Sequence, residues 1–175
     1  VLASVVVDLT GPDPEVHEPA EICVLPLDQM LNPHNELIMF NMRMKVDPDL
    51  VDWKTCRVSQ KDVAKTILGG FDRDKVADLL CKWHASLNLA ERKRIIPLAY
   101  NWPRTRDILV RWLGYDVFAD LFSEDYRDVL IATHFINDRE CAKAEPVPFS
   151  KQALSWIATK LNVSRPTHGG NATED

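Results

Sequence analysis

Leu2-Ala3-Ser4-Val5-Val6-Val7-Asp8-Leu9-Thr10-Gly11-Pro12 opens the fold, and the elements that follow are read outward from it. Its apolar, β-branched run predicts a buried strand over Leu2–Val7, ended by Gly11 and Pro12. Asp8 is thereby carried to the end of the strand, just ahead of the turn. Ala20–Leu27 reads as a neighbouring strand. Across Leu37–Lys45, Ile38, Phe40, Met42 and Met44 alternate with a set that turns polar at Asn41 and Arg43, the period of a half-exposed strand. Gly11-Pro12-Asp13-Pro14 and Asn32-Pro33-His34-Asn35 have turn chemistry, which predicts antiparallel neighbours.

After Trp53 the period changes from two to that of a helix. Val76, Leu79, Leu80, Trp83 and Leu87 recur at helical spacing behind the Gly69-Gly70 break. Ile95–Ala99 reads as a short strand. It leads into a helix over Arg104–Leu113 that carries Ile108, Leu109, Trp112 and Leu113 and is stopped by Gly114. A further helix is predicted over Val129–Asn137, and Ser150 as the N-cap of a last one bearing Leu154, Ile157, Ala158 and Leu161. Strands followed by alternating helices and strands predict an α/β sheet with helices on its faces.

At 175 residues and 46 % hydrophobic, the chain reads as one domain over 1–175. A formal charge of −5 excludes a protein that coats nucleic acid through general electrostatics, but a local basic patch is compatible with it. Cys23, Cys56, Cys81 and Cys141 form no CxxC pair, which favours reduced thiols and a cytoplasmic protein. There is no apolar run of membrane-spanning length and no signal-peptide pattern, so no membrane partner is expected. Nucleophile-elbow, P-loop and GxGxxG signatures are absent. Both ends read as clipped: Val1 already lies within the first strand, and no helix follows Asp175. Residues missing near Asp8 or after Asp175 therefore stay an open alternative.

Three remnants carry the chemistry. Asp8 ends the first strand. Pro97-Leu98-Ala99-Tyr100-Asn101-Trp102-Pro103-Arg104-Thr105 follows a later strand, and His168 precedes Asp175 across a Gly169-Gly170 pair. In this order the chain resembles the DEDD family of 3′→5′ exonucleases, of the DEDDh type that includes ribonuclease T and proofreading domains. Within it the small phage-encoded members are closest, because Tyr126-Arg127-Asp128, Phe135-Ile136-Asn137-Asp138-Arg139 and Pro148-Phe149-Ser150-Lys151 also match them. The departures are specific. Thr10 stands where the family has the Glu of Asp-x-Glu, and Thr105 where it has its second-motif acid. His168 lies two residues too far from Asp175, and Arg104 replaces an aromatic residue.

The resemblance implies a ribonuclease H-like mixed sheet flanked by helices. It implies Asp8 and Asp175 as ligands of Mg²⁺ or Mn²⁺, and His168 as the base that deprotonates the attacking water. It also implies Asn101, Trp102 and Arg104 as nucleic-acid-binding residues, and single-stranded DNA or RNA ends as partners. Glu21 and Asp128 are read as structural acids. Asp107 is not a substitute for Thr105, since two residues turn about 200° around a helix. Arg92, Lys93, Arg94, Arg104, Arg106 and Arg111 face one acid, Asp107, and Tyr100 and Trp102 lie among them, a composition suited to single strands. The competing class is a catalytically degenerate protein that keeps the fold to bind nucleic-acid ends or a protein partner.

Overall fold

In the computed structural model, which describes residues 1–52, 69–90 and 93–163, the first strand lies at the centre of a five-stranded sheet. Strand β1 (Leu2–Leu9) pairs antiparallel with β2 (Pro19–Pro26), and β2 with β3 (Phe40–Arg43). On its other side β1 runs parallel to β4 (Ile96–Ala99), and β4 to the two-residue β5 (Arg127–Asp128), giving the order β3-β2-β1-β4-β5. The mixed sheet and its antiparallel first three strands are those expected from the alternation and the turns. β3 is shorter than Leu37–Lys45 because His34 holds the entering chain in a turn, its Nδ1 accepting from the Glu36 and Leu37 amides at 3.2 and 3.3 Å.

Helix α1 (Arg73–Ser86) buries Val76 and Leu80 against the sheet. Trp83 tilts against Phe40 at 5.6 Å between centroids and donates its indole N–H to Ile38 O at 2.7 Å. Of the Gly69-Gly70 break, Gly70 has a packing cause. A Cβ at Gly70 would meet Lys45 N at 2.5 Å, where Phe71 exchanges backbone hydrogen bonds with Arg43 and Lys45.

Helix α2 (Trp102–Leu113) starts two residues earlier than predicted and ends at Gly114, whose φ of 79° suits glycine. Helix α3 (Tyr115–Leu121) was not anticipated from the sequence; it follows at once and turns Phe118 and Leu121 into the core. Helix α4 (Val129–Ala142) continues past Asn137.

The last helix, α5 (Leu154–Lys160), corrects the Ser150 reading: its N-cap is Ala153, with no side-chain cap. The physical reason is tertiary. The Asn137 amide clamps the Phe149 backbone, donating to its O at 2.8 Å and accepting from its N at 3.0 Å, and the Tyr100 hydroxyl donates to Gln152 O. Residues on both sides of Ser150 are thus held out of a helix.

One sheet face carries the core, where Ala3, Val5, Ile22, Val24 and Phe40 meet α1, α2 and α3. On the other face Asp8, Glu21 and Arg43 share one register row across three strands. Glu21 is 3 % exposed and pairs with Arg43 at 3.2 Å, the structural part expected of it. Cys23 lies next along β2. Burial, then the charges of Glu21 and Asp8, push its thiol up to about 11, so it stays protonated through the neutral range.

Candidate functional site

Parallel pairing brings the carboxyl ends of β1 and β4 together, and a cavity of about 410 Å³ opens there. Asp8, Gly11 and Pro12 supply one wall, and Tyr100, Asn101, Arg104 and Thr105 the facing one. Ser4, Val6 and Leu98 also line it, as do Val129 of α4 and Leu154 of α5. The volume falls in the range of roughly 300–1,000 Å³ typical of small-ligand sites. Asp8 is buried, and of the described residues on the wall it is the one carboxylate.

Asp128 fixes the second wall. Its Oδ1 accepts from Asn101 N at 3.0 Å and from Leu130 N at 2.8 Å, and its Oδ2 from Trp102 N at 2.8 Å. One carboxylate therefore caps α4 and ties down the turn into α2, where Asn101 is held left-handed at φ 56°. Asp128→Ala leaves three backbone donors without this acceptor. Urea denaturation should show a loss of about 3 kcal/mol, because hydrogen bonds to a charged group and an N-cap are both removed.

Arg104 donates to Pro12 O, and two turns on along α2 Arg111 pairs with Glu15 at 3.3 Å, so this helix latches the β1–β2 turn. That turn also explains Thr10. A register shift between Asp8 and Leu9 breaks the two-residue alternation. Thr10, 1 % exposed, accepts at its hydroxyl oxygen from Glu18 N at 3.0 Å and does not line the cavity. The Asp-x-Glu spacing that would put residues 8 and 10 on one side is thus interrupted. Thr105 does face the cavity, whereas Asp107 is exposed beside Arg106 at 3.8 Å.

Two sequence readings are corrected. Trp102 is 1 % exposed and stacks on Phe118 at 6.2 Å, with Phe122 and Tyr126 around it, so its indole belongs to the core and offers no face to a base. The basic cluster divides. Lys93 and Arg94 precede β4, and Arg104 follows it, on opposite sides of a strand whose four residues rise about 13 Å. Arg106 packs over Phe118 at 6.0 Å. Arg92, Cys56, His168 and Asp175 lie outside the described residues.

A two-metal centre needs several converging carboxylates. Among the described residues, which do not include His168 and Asp175, there is no group of three His, Cys, Asp or Glu side chains that could hold a metal ion. No described helix is long and apolar enough to cross a membrane. The Tyr100–Gln152 link and the place of Val129 and Leu154 on the cavity escaped the sequence reading, since nothing local marks residues distant in the chain as neighbours.

No family model and no curated protein sequence matches the chain. Solved structures do. The nuclease domain of 3'hExo, a DEDDh family member bound to rAMP, superposes with a TM-score of 0.65 at 14% identity, covering 95% of this chain and 81% of that one. Exonuclease I from Methylocaldum szegediense gives 0.62 at 16%, covering 96% of this chain. E. coli exonuclease I in complex with a dT13 oligonucleotide gives 0.60 at 14%, covering 99%. This chain spans 37% and 38% of the length of those two exonuclease I chains. With its central β1, parallel β4 and flanking helices, the chain has the ribonuclease H-like fold of these exonucleases.

Proposed function

We propose that this chain is a 3′→5′ exonuclease-type protein of the phage-encoded kind, cytoplasmic, that takes the ends of single-stranded DNA or RNA and in which phosphodiester hydrolysis is impaired. The observation that carries this is the meeting of Asp8, Asn101, Arg104 and Thr105 on one cavity at the carboxyl ends of two parallel strands, where open α/β sheets take their ligands. The nucleotide and oligonucleotide bound to 3'hExo and to E. coli exonuclease I support the same class of ligand. By resemblance, Asp175 would join Asp8 as a ligand of Mg²⁺ or Mn²⁺, His168 would take the proton of the attacking water, and Asn101 would position the terminal nucleotide. Thr10 and Thr105 occupy the other two acidic positions, and this is the source of the impairment.

The single described carboxylate on the cavity also favours a second reading, a protein that keeps the fold to hold nucleic-acid ends or a protein partner without cleaving. Competition separates these. A labelled linear single strand should be displaced by unlabelled linear strand and not by circular single-stranded DNA. A 5′-labelled strand should shorten stepwise in Mn²⁺ with wild type and not with Asp8→Ala. End binding without any shortening selects the second reading, and no preference for ends removes the first.

A further inference from the structure

Residues 150–156 run between two buried anchors. Phe149, 8 % exposed, is clamped through its backbone by the Asn137 amide, and Ile157, 1 % exposed, seats the middle of α5. Between them Ser150, Lys151, Gln152, Ala153 and Ser155 are exposed, and Leu154 lines the cavity. The first turn of α5 is weak by itself, because a helix of seven residues is marginal in isolation and Ala153 gives it no side-chain cap. The chain entering that turn is pinned at Gln152 from two elements. The Tyr100 hydroxyl, on the cavity wall, donates to Gln152 O, and the Gln152 amide nitrogen donates to His134 Nε2 of α4 at 2.9 Å.

We propose that residues 150–156 are a strap beside the cavity, latched at Gln152 by Tyr100 and His134, and that release of the latch swings Leu154 off the cavity and widens the way in. The two anchors confine the movement. Burial holds Phe149 and Ile157 in place, so the exposed residues between them can open locally while the fold stays intact. The wall residue Tyr100 is the stronger half of the latch, since it ties the strap backbone directly, whereas His134 reaches only the Gln152 side chain. The strap rests on the proposed function in one respect, that the cavity is a ligand site, and its working does not depend on which ligand enters.

The test uses the full chain without ligand. In hydrogen–deuterium exchange, the amides of residues 154–157 should exchange about 10-fold faster in Tyr100→Phe than in wild type, the effect of one lost hydrogen bond on a local opening. Those of β1 and β4 should keep the wild-type rate. His134→Ala should speed the same amides by a smaller factor, because the Tyr100 tie remains. Access is read with N-ethylmaleimide on Ser4→Cys, a near-isosteric change on the cavity. Adding Tyr100→Phe should raise modification of the thiol at position 4 several-fold and leave that of the exposed Cys141 unchanged. Wild-type exchange in α5 of Tyr100→Phe would overturn the latch, as would faster exchange spread equally over β1 and β4. Faster exchange in α5 with unchanged modification at position 4 would overturn the strap as a gate. Neither readout uses a nucleic acid, so a failure of end binding and a failure of the strap are told apart.

Discussion

Digestion of 3′-labelled single strands in Mg²⁺ or Mn²⁺ should run at least ~100-fold slower than in an exonuclease that has all four acids, because hydroxyls stand at two of those positions. The two positions differ in what could be regained. Thr105 lines the cavity, so Thr105→Asp puts a second carboxylate beside Asp8 and should raise the rate. Thr10 is turned into the hairpin and almost fully buried, so Thr10→Glu forces an unpaired carboxylate into the fold and should destabilise it without raising the rate. Single-turnover digestion of wild type, both variants and an Asp8→Ala control measures this. Robust Asp8-dependent digestion by wild type would overturn the impairment and place the missing acids outside the described residues.

Trp102→Ala should destabilise the protein by about 3–5 kcal/mol, the usual cost of truncating a buried aromatic, against a total stability of about 5–15 kcal/mol for a typical domain. The indole is enclosed by Phe118, Phe122 and Tyr126, and Phe118 in turn stacks on Phe122 at 5.3 Å. Urea denaturation followed by circular dichroism gives the cost. Trp102→Phe keeps a ring in the cluster, and should lose less stability and bind single strands as wild type does. A loss of binding in folded Trp102→Phe would restore the indole as a contact to the nucleic acid.

Both results turn on side chains whose chemistry the sequence marked and whose surroundings it did not. Trp102 among arginines suggested a stacking platform, but an aromatic next to basic residues in the chain has the same composition whether its ring points to solvent or to the core. Thr10 two residues after Asp8 suggested a shared side, and the register shift at Asp8/Leu9 removed that relation. Ser150 had the chemistry of an N-cap, yet the Asn137 clamp on Phe149 held the backbone away from a helix there.

What the sequence determined by itself was local in origin. The period of two over the first strands, the helical period behind Gly69-Gly70, the stop at Gly114 and the arrival of Asp8 at a strand end all follow from neighbours a few residues apart. The structural parts of Glu21 and Asp128 were legible too, although not the amides that Asp128 would hold. Only the tertiary structure decided which residues share the cavity. Arg104 reaches Pro12, and Tyr100 reaches Gln152, across separations of 92 and 52 residues. The physical reason is that hydrophobic periodicity specifies which face of an element is buried and says nothing of which other element covers it. The parallel pairing of β1 with β4 sets that, and with it brings Asp8 and Arg104 to the same cavity.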